Sequence, residues 1–222
     1  MIELENLLFG YNKPLLEESL SLKVDFPAVV SVLGNNGVGK STFFSAVFSG
    51  NHLLDGQVKL NGSNRSFLNS AGIVYQGQSY SFGIGMVVQD FISALSSQLI
   101  DSKVFDFLID NLQISQLLSK SILEISQGQL QRCLVAQTLL QDASVYLLDE
   151  PESYLDIKYK NVLASVIKQY VREFNKIVFL ATHDLNLVNQ VSTHFINFSS
   201  NNVECKEYDS GVLKSIEQSL LI

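Results

Sequence analysis

The chain has 222 residues, 46% of them hydrophobic and 17% charged, with 22 acidic against 15 basic side chains for a net charge of −7. That length suits one large domain or a core with a subdomain, and the acidic balance argues against nonspecific attraction to nucleic acid or to an anionic lipid surface. No apolar run reaches the roughly 18 residues of a membrane span, Met1-Ile2-Glu3-Leu4-Glu5 lacks a cationic leader, and Cys133 and Cys205 read as free thiols, so a cytoplasmic location is expected.

Residues 2–9 alternate as a half-exposed strand does, Gly10 to Pro14 reads as a turn, and Leu20 to Val24 alternates again. These segments predict an antiparallel β layer at the start of the chain. Tyr11 falls in its loop, where an aromatic ring can stack on a nucleotide base or be an ordinary surface tyrosine.

The apolar run Ala28 to Leu33 then leads into Gly34-Asn35-Asn36-Gly37-Val38-Gly39-Lys40-Ser41-Thr42, and an apolar-periodic segment with Phe43, Phe44, Ala46 and Val47 follows. Strand, glycine-rich turn and helix in that order are the context in which this pattern becomes a phosphate-binding P-loop. Glycines let several backbone N–H groups point inward, and the helix start adds unpaired N–H groups and a positive dipole end. Lys40 supplies an ammonium for the β- and γ-phosphates, and the Ser41 hydroxyl can ligate Mg²⁺.

Beyond the P-loop helix, Gly50 to Asp55 reads as a loop and Gly56 to Leu60 as a strand ended by the Asn61-Gly62 turn. Ala71 to Tyr75 is another short strand, ended by Gln76-Gly77-Gln78. From Met86 to about Leu118 the apolar residues recur at helical spacing, which predicts an all-helical module over about 77–125, inserted between two halves of an α/β core. In Ile125-Ser126-Gln127-Gly128-Gln129-Leu130, Ser126 is a plausible N-cap; by itself the stretch is a capped helix start.

Val145-Tyr146-Leu147-Leu148-Asp149-Glu150-Pro151 is a buried-strand run ending in two carboxylates. At the carboxyl end of a central strand in a P-loop protein, the first acid is placed to hold Mg²⁺ and the second to orient an attacking water. Adjacent side chains of an extended backbone face opposite ways, which would separate the two roles. Ile157 to Phe174 reads as a long helix. Ile177 to Ala181 is a further strand ending in Thr182-His183-Asp184, whose histidine is either structural or within reach of a γ-phosphate.

Taken together these pieces resemble the ATP-binding subunit of an ABC transporter over nearly the whole chain. Gly34 to Thr42 is similar to the family's Walker A motif, Gln76 to its Q-loop glutamine and Ser126-Gln127-Gly128-Gln129 to its signature motif. Leu147 to Pro151 resembles Walker B, Ser153-Tyr154-Leu155-Asp156 the D-loop, Thr182-His183-Asp184 the H-loop, and Tyr11 the adenine-stacking aromatic. Two residues depart from the pattern: Gln127 replaces the first signature glycine, and Glu152 stands where threonine commonly follows the Walker B proline.

The resemblance implies a P-loop NTPase (RecA-like) α/β core with an N-terminal antiparallel β subdomain and an inserted helical subdomain, forming one domain over 1–222. It implies a head-to-tail homodimer that sandwiches ATP between Gly34, Asn35, Asn36, Gly37, Val38, Gly39, Lys40, Ser41 and Thr42 of one copy and Ser126, Gln127, Gly128 and Gln129 of the other. Ser41, Gln76 and Asp149 would organise Mg²⁺, Glu150 the attacking water and His183 the γ-phosphate, with Asp156 linking the two sites. The implied partners are integral membrane permease subunits on the cytoplasmic face and, for an importer, indirectly a substrate-binding protein; nucleic acid is not expected. The stretch 181–187 and the helix after Asp156 look closest to importers of iron–siderophore, haem or cobalamin type. Exporter or lipoprotein-release ABC motors and soluble non-transport ABC-type ATPases are the alternatives.

Overall fold

The computed structural model describes residues 1–65, 72–77, 85–95, 101–198 and 203–208. In chain order the elements are β1 (Ile2–Phe9), β2 (Leu20–Val24), β3 (Ala28–Leu33), α1 (Lys40–Ser49), β4 (Leu53–Leu60), β5 (Ser63–Asn64), β6 (Gly72–Gln76), α2 (Val88–Ser93) and α3 (Ser102–Asn111). They continue with α4 (Gln127–Leu139), β7 (Ala143–Asp149), α5 (Ile157–Glu173), β8 (Ile177–Ala181), α6 (Leu185–Val191), β9 (His194–Phe198) and β10 (Val203–Glu207). Two 3₁₀ turns, Ser115–Leu117 and Ile122–Glu124, lie between α3 and α4.

One sheet has the order β2-β1-β4-β5 and is antiparallel; the other has the order β10-β9-β3-β8-β7-β6 and is parallel except for β10. This is the P-loop NTPase core with an N-terminal β subdomain and helical insertions. The continuous apolar runs of β3, β7 and β8 follow from a parallel sheet covered on both faces. Alternation along each strand divides the core: Val145, Leu147, Ile177 and Phe179 face the β layer and α1, whereas Tyr146, Leu148, Val178 and Leu180 pack among residues of α4 and α5. Under the P-loop, Phe43 of α1 sits 5.5 Å from Phe9 and 5.7 Å from Phe198, ring centre to ring centre. This aromatic cluster anchors the helix that presents Lys40.

Several boundaries differ from expectation. β4 begins at Leu53 rather than Gly56, because Phe9 and Leu8 of β1 extend the pairing to Leu53 and Asp55 across an irregular register. Partner hydrogen bonds there outweigh the loop-forming tendency of the sequence. The Asn61-Gly62 turn is present, with φ of 52° and 78°. Within the expected helical module, Val88, Phe91, Ile92, Leu108, Ile109 and Leu112 are buried as their spacing predicts, but Leu95 is exposed just after α2 ends. Gln78 and the expected parts at 79–84 and 96–100 lie outside the described residues, as does Ala71. No helix among the described residues is long and apolar enough to cross a membrane.

Candidate nucleotide site

The strand order explains why distant residues meet. β3, β8, β7 and β6 are parallel neighbours, so the P-loop after Leu33, Thr182 after Ala181, Asp149 and Gln76 all fall on one carboxyl edge of the sheet. That edge is where parallel α/β sheets bind ligands. A cavity of about 440 Å³ opens there, lined in part by Tyr11, Asn36, Gly37, Lys40, Asp149 and Glu150; Gly39, Ser41 and Thr42 complete its P-loop wall. Gly34 begins the loop at φ 141°, and a Cβ on it would lie 2.8 Å from the Phe198 carbonyl oxygen, so the chain passes too close to β9 for any side chain. The Val38 N–H donates to the Asn35 carbonyl and tightens the turn.

Lys40 is almost fully buried, and its Nζ donates to the carbonyls of Gly34 (2.8 Å) and Asn35 (3.2 Å). Rather than swinging free, the ammonium is closed onto its own loop. Burial lowers its pKa, against the raising pull of Glu150, Asp149 and Glu152. The Ser41 hydroxyl donates to Asp149 Oδ2 at 2.6 Å, and the Tyr75 hydroxyl donates to the same oxygen at 3.2 Å. Burial pushes the Asp149 carboxyl above the usual range, with those two hydrogen bonds opposing it. Gln76 is buried at the end of β6, and its Oε1 has no hydrogen-bond partner. This set of hydroxyl, carboxylate and amide oxygens fits Mg²⁺, which takes one or two carboxylates plus substrate phosphates rather than a protein cage.

Glu150 corrects one expectation. It is not extended: its φ is 50°, and its N–H donates to the Ala181 carbonyl of β8. The separation from Asp149 therefore comes from a left-handed turn outside the strand, not from strand alternation. Its Oε1 lies 3.8 Å from Nδ1 of the exposed His183. Tyr11 is 68% exposed at the cavity mouth, its ring 4.4 Å from that of His52. Asp149, Glu150 and Tyr11 therefore face one cavity.

A second cleft of about 540 Å³ shares no lining residue with the first; Ser126, Gln127, Gly128, Gln129, Tyr154 and Asp156 are among its walls. Ser126 caps α4: its Oγ accepts from Gln129 N (3.3 Å) while Gln129 Oε1 accepts from Ser126 N (2.9 Å). A Cβ on Gly128 would lie 2.8 Å from the Tyr154 carbonyl oxygen, so glycine is what lets α4 approach the 153–156 turn. Asp156 caps α5 by accepting from Tyr159 N at 2.9 Å. The single chain therefore separates Ser126 to Gln129 and Asp156 from the P-loop group.

Sequence reasoning assigned no role to three groups. Tyr75 reaches Asp149 across neighbouring strands, and its place just before Gln76 was the available signal. Arg132, buried in α4, donates from Nη1 to the Leu112 and Gln113 carbonyls at 2.9 Å and lies 3.9 Å over the Tyr159 ring, tying the end of α3 to α4 and α5. Glu152, noticed only as a departure, is buried and accepts from the Thr182 hydroxyl.

The comparisons with known proteins agree with this geometry. The family described as ABC transporter matches residues 18–153. The zinc import ATP-binding protein ZnuC of Ehrlichia canis is 30% identical over 218 residues, covering 97% of this chain and 86% of that protein. An uncharacterised ABC transporter ATP-binding protein of Methanocaldococcus jannaschii is 31% identical over 171 residues, covering 77% of this chain but only 27% of that longer protein. Among solved structures, cbiO1 of Clostridium perfringens, part of the ABC transporter complex cbiONQ, superposes with a TM-score of 0.79 at 22% identity, covering 98% of this chain and 92% of that one, a likeness of fold. The chain belongs to the ABC transporter family, as an ATP-binding subunit.

Proposed function

We propose that this protein is the ATP-hydrolysing motor of an ABC importer for a metal ion or metal chelate, such as an iron complex, haem or cobalamin. The observation that carries the motor reading is the division of the nucleotide site: Lys40, Ser41, Asp149 and Glu150 share one cleft, while Ser126 to Gln129 line another. A head-to-tail homodimer brings the two kinds of cleft together over each ATP. Lys40 and the P-loop amides hold the phosphates, and Tyr11 stacks on the base. Ser41, Asp149 and Gln76 hold Mg²⁺, which supplies charge neutralisation at the phosphates. Glu150 orients the water and His183 contacts the γ-phosphate. ATP favours the closed dimer because its γ-phosphate contacts both copies, a difference in affinity that ADP lacks.

In this reading 1–222 is a single ATPase domain, and the helical subdomain at about 77–125 passes the motion to membrane permease subunits on the cytoplasmic face. The metal-import assignment is supported by relatives: ZnuC of Ehrlichia canis, and a Helicobacter pylori iron chelatin transport ATP-binding protein that is 28% identical over 213 residues. A tagged pull-down from gently solubilised native membranes tests it. Stoichiometric recovery of a multi-span permease, with metal uptake lost on deletion, is the expected result. Recovery only from the soluble fraction with ribosomal or DNA-bound partners overturns transport, and an exporter permease overturns import.

A further inference from the structure

Glu152 is a buried carboxylic side chain that the nucleotide site, as described above, does not use. It directly follows Pro151 at the end of the Walker B segment, near the ends of β7 and β8, and 2% of its surface is exposed. Its Oε1 accepts a hydrogen bond from Thr182 Oγ1, and its Oε2 has no partner. A buried carboxyl with an unpaired oxygen is costly to keep, so its one strong contact needs a purpose.

That contact reaches the turn carrying His183. The Thr182 backbone is held in the sheet, its N–H donating to the Val32 carbonyl of β3 at 3.2 Å. Its hydroxyl donates a hydrogen bond to Glu152 Oε1 and accepts the Asp184 N–H at 2.9 Å, a local turn spanning His183. Asp184 in turn caps α6, accepting from Asn186 and Leu187, and pairs with Lys160 at 2.9 Å. Both flanks of His183 are therefore tied down, and the tie ends on Glu152. On the other side, Glu152 sits two residues after Glu150, whose N–H is bonded to the Ala181 carbonyl. The chain from Glu150 to Glu152 and the chain from Ala181 to Asp184 are thus joined twice, once through the backbone and once through a side chain.

The geometry points to Glu152 as a positioning residue for ATP hydrolysis: through Thr182 it fixes the turn that sets His183 beside Glu150. The inference rests on the ATPase reading above and deepens it. Glu152 touches neither nucleotide nor water in this role. Its removal should loosen the alignment of His183 with Glu150 while leaving the hydrogen bonds that hold Lys40 to the Gly34 and Asn35 carbonyls, and hence ATP binding, in place.

Steady-state ATPase of the purified full chain tests this, with thermal midpoints measured alongside. Glu152→Ala should lower kcat by about 10-fold to 100-fold and change KM for ATP by less than about twofold, since no hydrogen bond of the phosphate loop ends on Glu152. Glu152→Gln keeps an oxygen acceptor for Thr182 and should restore most of kcat. Thr182→Val removes only the hydroxyl, so it carries the test if Glu152→Ala fails to fold; its kcat should fall comparably, and Thr182→Ser should recover it. Unchanged kcat in folded Glu152→Ala or Thr182→Val overturns the proposal, as does a Glu152→Gln variant as slow as Glu152→Ala. An inactive wild type overturns the ATPase reading and this inference together, whereas an active wild type indifferent to these substitutions overturns the inference alone.

Discussion

The cleft over the P-loop draws its polar groups from the segments at the carboxyl ends of β3 and β7, whereas the cleft over Ser126 draws them from the starts of α4 and α5. In the first, Lys40, Ser41 and Asp149 are tied to one another or to the loop and held in place by the sheet beneath. In the second, Ser126 and Asp156 are exposed and spend their oxygens on capping their own helices. The first cleft is organised within one chain. The second has stable local structure and an open outer face, which is what a surface completed by another copy requires. Catalysis rewards groups fixed before the reaction begins, and assembly rewards groups left accessible.

The largest effects should come from the first cleft. Lys40→Ala should lower ATPase kcat/KM by at least about 100-fold, read in a phosphate-release assay; unchanged turnover would remove the P-loop assignment. Glu150→Gln should lower kcat by about 100-fold or more yet give a dimer with ATP on light scattering, and a monomer at saturating ATP would count against the two-copy site. Gly128→Ala should sharpen the contrast: its Cβ would meet the Tyr154 carbonyl at 2.8 Å, so ATP-dependent dimerisation should weaken by about tenfold while ATP binding to the monomer is retained. Tyr11→Ala should weaken ATP binding by about 1–3 kcal/mol in calorimetry, and unaltered affinity would return Tyr11 to an ordinary surface residue.

The smallest effect concerns pH. Burial raises the Asp149 carboxyl, so the folded chain holds that proton more tightly than the unfolded chain does. The resulting stabilisation is fully present below about pH 4 and is lost as pH rises through the raised value. Asp149→Asn carries no charge to bury. Without nucleotide, its thermal midpoint should gain on that of the wild type by a few degrees as pH rises above about 4, and a constant difference across pH would contradict the buried-charge account.

Much of this molecule was legible along the chain. The runs Ala28 to Leu33, Val145 to Asp149 and Ile177 to Ala181 are buried strands as their composition predicts, and the P-loop, the Ser126 cap and the Asn61-Gly62 turn fall where local chemistry puts them. Such features depend on residues a few positions apart, because backbone hydrogen bonding, side-chain period and turn preference act over that range. The sequence alone thereby determined the buried central strands, the start of α4 and which acids and hydroxyls end up at the termini of those strands. Only the tertiary structure decided that Ser41 meets Asp149 across 108 residues, that β8 lies between β3 and β7, and that Glu150 leaves β7 in a left-handed turn. The Glu152–Thr182 tie belongs to that second class. It exists because β7 and β8 are parallel neighbours whose ends are level, a fact of strand order that no local pattern encodes.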